Sequence, residues 1–236
     1  LAGILLDRLN ISSLTKSITL LLIVISPSYL YSHLTLSFTS WIIFLILLGF
    51  VLLTSDSKKS YFKYIAILPF LLVSCIDLLS YIFLMVLLLL YFYKCPLSKA
   101  LSPEFKKVML ITLFLFSVAA FLLLEVPFSL GPFYEPNLIG NLVSDFGGRS
   151  GVLLFVLLLS FIGMGIFWKD KSSLLLYLIL PLSILMYLYN QQYALLLSMV
   201  LIGFAAMAFG EIIKREWVLQ DLKNFTLLIL FLGLLF

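Results

Sequence analysis

Apolar residues run along this chain in long blocks whose centres are almost purely Leu, Ile, Val and Phe, and polar residues collect in the gaps between them. Blocks of this kind, near the length that crosses a bilayer, predict membrane helices. Residues 1–16 mix Asp7, Arg8 and Lys16 with leucines, as suits an interfacial helix or the tail of a preceding span. A first span is expected from about Ser17 to Tyr31 and a second from Trp41 to Thr54. The run from Tyr64 to Tyr93 is too long for one ordinary helix and is interrupted by SCIDLLS, so it splits into two spans with a tight turn at Asp77. One span follows over Ile111–Leu124, and another over Gly151–Trp168. Residues 173–189 and 194–210 give two more, joined by the short turn LYNQQY.

The closing segment, Phe225–Phe236, covers about 18 Å at 1.5 Å per residue, short of the roughly 30 Å hydrocarbon core. It reads as the start of a further span in a longer protein. The expectation is therefore an all-α fold, a polytopic transmembrane helical bundle of about nine spans with short loops. It forms a single membrane domain over residues 1–236 with a long outer-face loop over 125–151.

Counting charges tests the alternation. If the Lys-rich gaps share one side, that side holds every basic residue from Arg8 to Lys223 except Arg149. Cytoplasmic loops carry such an excess of Lys and Arg, so the Lys-rich side is inner and the 125–151 loop is outer. A wrong number of spans would scramble this pattern, which supports the split at Asp77. The Lys-rich loops also suit anionic lipid headgroups. Trp41, Trp168, Trp217, Tyr81, Tyr91 and Tyr93 fall near predicted span ends, where interface anchors belong.

Composition agrees: 64% of residues are hydrophobic and 11% charged, and the mean hydropathy is +1.23, far from the balance of soluble domains. The net charge of +4 comes in short clusters without a continuous basic stripe, which excludes a nucleic-acid-binding surface. Cys75 and Cys95 have no metal-site or disulfide-framework spacing.

Candidate chemistry gathers on the outer side: His33, Asp77, Glu125, Glu135, Asp145, Arg149, Asn190, Gln191 and Gln192. Pro27, Pro69 and Pro181 precede His33, Asp77 and Asn190 by six to nine residues, a faint internal repeat in which each proline would kink a span and free carbonyls near its end. Asp77 reads either as a turn residue capping the next helix or as a polar group facing a cavity. Asp145 and Arg149, four apart, pair on one helical face, or else Arg149 binds a phosphate while Gly147, Gly148 and Gly151 let backbone amides approach the anion. Glu125 and Glu135 are either solvated loop carboxylates or supply a general base or a metal carboxylate, and with Asp145 they suit a divalent cation bridging a lipid phosphate, the one cofactor in view. Asn190 joins these as a substrate-binding candidate.

Three stretches carry a resemblance: ILPFLLVSCIDLLSYIFLMVLLLLYFYK, SDFGGRSGVLLFVLLLSFIGMGIFWKDK and FGEIIKREWVLQDLKNFTLLILFLGLLF. In their style of span and loop they resemble the middle and C-terminal membrane portion of prokaryotic polytopic glycosyltransferases of the GT-C class. The resemblance implies a multi-pass protein of the prokaryotic cell membrane that transfers sugar at the outer face from a polyprenyl-phosphate, lipid-linked sugar donor. In that class the catalytic Asp or Glu lies in the first large outer loop. The first outer hairpin here has no acid, so the resemblance assigns no catalytic residue, and that loop is expected before Leu1. A transporter or lipid flippase, or a noncatalytic membrane scaffold subunit, stands as the alternative; a transporter predicts polar groups at mid-bilayer.

Overall fold

The computed structural model describes residues 1–8, 11–34, 37–55, 61–94, 98, 101–124, 142–143, 151–168 and 174–235. Among these the fold is all-helical; apart from the isolated bridge between Val143 and Val152, no β-structure occurs. In chain order the helices are α1 (Ala2–Arg8), α2 (Ser13–Ile25), α3 (Pro27–Leu34), α4 (Phe38–Leu53), α5 (Tyr61–Ile65), α6 (Ile67–Ile76), α7 (Leu78–Lys94) and α8 (Pro103–Leu124). Then come α9 (Leu154–Phe167), α10 (Leu174–Tyr189), a 3₁₀ turn at Gln191–Tyr193, α11 (Ala194–Lys214) and α12 (Gln220–Leu235). They form two compact units, one built from Leu1–Asn10 with Phe38–Gly131, the other from Ile11–Ser37 with Pro132–Phe236.

In the first unit α6 packs against α4, α7 and α8. Phe70 of α6 is fully buried, with Phe50 edge-on to it at 5.4 Å and Phe50 in turn edge-on to Tyr91 at 5.6 Å. Gly49 of α4 is the residue that admits this ring, because a Cβ there would overlap it. Leu84, Leu88, Met109 and Leu113 complete the core. The start of α8 follows from its sequence. Ser102 accepts a hydrogen bond from the Phe105 amide at 3.2 Å, Pro103 occupies the first helical position, and Glu104 faces the positive end of the helix dipole. The short α1 packs on α4, where Arg8 donates to the Val51 carbonyl and, at 2.9 Å, to the Thr54 hydroxyl. Its cation thus caps the C-terminal end of α4, where helix carbonyls lack intrahelical partners.

In the second unit α11 is central, with α9, α2, α10 and α3 against it. Small residues set these distances, since membrane helices associate through close packing rather than through expulsion of water. A Cβ at Gly163 of α9 would collide with the Phe204 backbone of α11, and one at Gly210 would lie 3.1 Å from the Thr15 hydroxyl of α2. The second unit also ties α3 to the entrance of α9: the Ser28 hydroxyl donates to the Gly151 carbonyl, and the Val152 amide donates to the Leu142 carbonyl at 2.7 Å. Gly151 has φ 105°, a left-handed conformation that glycine adopts without steric cost.

Among the described residues two helical stretches, Pro103–Leu122 and Gln191–Lys214, are long and apolar enough to cross a membrane. A third qualifies if α2 and α3, bent by 56° at their junction, count as one broken span. The expected Ser17–Tyr31 span is therefore interrupted. Pro27 has no amide to continue the ladder and pushes the preceding residue out of the helical region, and Ser26 sits at φ −58°, ψ 124°. The other two prolines behave differently. Pro69 lies in the first turn of α6, where no amide is needed, and Pro181 lies inside α10. The expected split at Asp77 is present, with α6 ending at Ile76 and α7 beginning at Leu78. Among the aromatic anchors, Trp41, Trp168 and Tyr93 are exposed, whereas Tyr81 and Tyr91 are buried in the first unit's packing.

Candidate functional site

Of the residues singled out from sequence, Glu125, Glu135, Asp145 and Arg149 lie outside the described residues. Asp77 and Asn190 are described, one in each unit.

Asp77 is the single non-helical residue between α6 and α7, extended at φ −158°, ψ 127°, and only 8% exposed. Its amide closes α6 by bonding to the Val73 carbonyl at 3.2 Å, while its carbonyl accepts from the Tyr81 amide at 3.1 Å to open α7. The carboxylate Oδ2 accepts from the Ser80 amide at 2.7 Å and from the Ser80 hydroxyl at 2.6 Å. Ser80 is fully buried, so these donors have no access to water and depend on the carboxylate.

Asn190 has nearly the same backbone, φ −153°, ψ 125°, between α10 and the 3₁₀ turn. Its amide bonds back to Met186, and its side-chain oxygen accepts from the Gln192 amide at 2.9 Å. The two corners share a form, although the prolines before them do not, Pro69 lying in the first turn of its helix and Pro181 inside another. Each corner is one extended Asx residue that ends one helix and caps the next. His33 does not follow the pattern: it lies within the last turn of α3, exposed, with its ring 4.2 Å from that of Tyr29 in an edge-on contact.

For Asp77 the arrangement matches the capping role. What matters at such a cap is an acceptor oxygen, and Asn190 shows that a neutral amide supplies one. Asp77→Asn is therefore expected to leave thermal stability in detergent nearly unchanged. Asp77→Ala, which strands two buried donors of Ser80, is expected to cost about 1–2 kcal/mol. Equal losses in the two variants would show that the negative charge, rather than the cap, holds the corner.

Beside Pro27, which the sequence marks as a kink, the α2–α3 break holds two serines that the sequence did not single out. Ser26, Pro27 and Ser28 are all buried there, and the Ser26 hydroxyl has no hydrogen-bond partner among the described residues. Being uncharged, the serines carry little signal in the sequence. Among the described residues no group of three or more His, Cys, Asp or Glu side chains is placed to hold a metal ion. The candidate cation ligands Glu125, Glu135 and Asp145 are outside that set. No family model matches the chain, and no curated protein or solved structure is significantly similar to it.

Proposed function

We propose that the chain is part of a multi-pass glycosyltransferase of the prokaryotic cell membrane, transferring sugar from a polyprenyl-phosphate donor at the outer face. The observation that carries this reading is the charge distribution: every basic residue but Arg149 falls in the gaps assigned to the inner side. An isolated outer arginine suits a donor phosphate, which a guanidinium binds with paired, charge-assisted hydrogen bonds. Asp145, Glu125, Asp77 and Asn190 are proposed as substrate-binding groups, each taken singly. Because Asp77 and Asn190 already cap helices, the weight of the proposal rests on Arg149.

The nine-segment topology belongs to the same proposal. It counts the shorter apolar helices Phe38–Leu53, Lys63–Ile76, Leu78–Tyr93, Leu154–Phe167 and Leu176–Tyr189 as spans, and Arg149 is outer in that count alone.

The test is transfer of labelled sugar from a lipid-phosphate donor by the full-length protein in membranes. Arg149→Ala removes charge-assisted hydrogen bonds of about 1.5–3 kcal/mol, so transfer should fall about 10- to 100-fold. Undiminished transfer would sink the phosphate role. A transporter or lipid flippase is the second reading, favoured by the buried break between α2 and α3, since discontinuous helices form substrate sites in transporters. Substrate or lipid movement across proteoliposomes without sugar transfer would select it.

A further inference from the structure

The connection between α11 and α12 reads Lys214-Arg215-Glu216-Trp217-Val218-Leu219-Gln220, with three consecutive apolar residues in a non-helical segment. Val218 is fully exposed and Leu219 is 64% exposed, an arrangement that water disfavours. Trp217 is held in place: its indole N–H donates to the Ile212 carbonyl at 3.3 Å, while the Arg215 amide ends α11 on the Glu211 carbonyl at 2.9 Å. The helix end and the indole thus fix one another, and the two following side chains project from a short, tethered linker.

The candidate span leading into this linker, Gln191–Lys214, has 24 residues. At 1.5 Å per residue it reaches about 36 Å, more than the roughly 30 Å hydrocarbon core, so the linker begins where such a span leaves the acyl chains. That depth is where tryptophan concentrates in membrane proteins.

We infer that Trp217, Val218 and Leu219 form an apolar wedge that inserts into the headgroup–acyl boundary of the bilayer and fixes the depth of α11. Charge does not drive the contact. Lys214, Arg215 and Lys223 are balanced by Glu211, Glu216 and Asp221, so insertion is independent of anionic lipid. This inference stands apart from the proposed enzymatic reading and holds equally for a transporter.

The experiment uses the full chain with Trp41→Phe and Trp168→Phe, which leaves Trp217 as the lone tryptophan, in phosphatidylcholine nanodiscs. Emission should be blue-shifted, quenched more by lipids brominated near the glycerol than by lipids brominated near the chain end, and unaffected by aqueous iodide. Val218→Asp with Leu219→Asp should abolish the shallow bromine quenching and restore iodide quenching. Replacing about a third of the lipid with phosphatidylglycerol should change neither result. A bimane probe at Val218→Cys, with Cys75→Ser and Cys95→Ser, gives the same readout without touching the tryptophans. Iodide quenching without bromine quenching would overturn the wedge. So would quenching that appears only with anionic lipid, or shielding that appears only at high protein-to-lipid ratio and marks a protein partner.

Discussion

Gly163→Ala should destabilise the second unit by about 2–3 kcal/mol, while Gly165→Ala, two residues away on the same helix, should be neutral or slightly stabilising. The contrast is geometric. A methyl group at Gly163 would run into the carbonyl oxygen and carbon of Phe204, and these are backbone atoms of α11, which cannot rotate aside as a side chain can. Relief would require α9 to move off α11, and α11 is the helix on which α2, α3 and α10 also pack. At Gly165 an added Cβ meets nothing within 4 Å, so only the helix preference for alanine over glycine remains. The measurement is thermal unfolding of the purified protein in detergent, followed by monodispersity. Equal stability of the two variants would mean that α9 and α11 are not packed at van der Waals distance.

Phe70→Ala is the corresponding change for the first unit, with an expected loss of about 3 kcal/mol. Phe70 has no exposed surface and lies between Gly49 and Phe50. In a water-soluble core, Phe→Ala removes both a transfer free energy and the contacts lining the new cavity. If, as proposed, α4 and α6 cross the membrane, the first part shrinks, because lipid tails solvate a phenyl ring nearly as well as the protein does. What remains is the cavity term, which places the estimate at the low end of the soluble range. Gly49→Ala approaches the same contact from the other side. Combined with Phe70→Leu it should be less harmful than the sum of the single changes, because the smaller side chain vacates the space that the methyl group needs. Strict additivity in a double-mutant cycle would argue against that contact.

How much of this was legible in the sequence depends on where polar residues interrupt the apolar blocks. Asp77 was readable because an acid between two leucine-rich runs is costly at mid-membrane, and because charge alternation required a turn there. Its partner in conformation, Asn190, was readable only as part of a polar turn; its capping bond depends on backbone angles that composition does not carry. The bend at Ser26 was legible through Pro27, which reads as a kink within its span, and the two helices meet there at 56°. How far a proline interrupts a helix was not legible, since Pro181 is accommodated within α10. Tyrosine is amphipathic, which points Tyr81 and Tyr91 to the interface, but their burial is decided by neighbouring helices that hydropathy does not identify. The proposed phosphate role of Arg149 rests on the charge count that isolates it and on the glycines beside it in the sequence.

The two long spans show what hydropathy conceals. Pro103–Leu122 and Gln191–Lys214 have nearly equal hydropathy, 2.0 and 2.2, yet within an 18-residue window of each, 28% of the first is buried against 61% of the second. Along α8, Val108, Ile111, Phe114, Leu115 and Leu122 face outward, where one apolar side chain serves as well as another. Along α11, Ala205, Ala206 and Ala208 are fully enclosed, and little besides another small residue fits. The two helices should therefore tolerate substitution differently: exchanges among Leu, Ile, Val and Phe on the outward face of α8 are expected to be neutral, and enlargement of Ala205, Ala206 or Ala208 on α11 is expected to destabilise. In diverging copies of this gene, α11 should remain recognisable long after α8 has become anonymous.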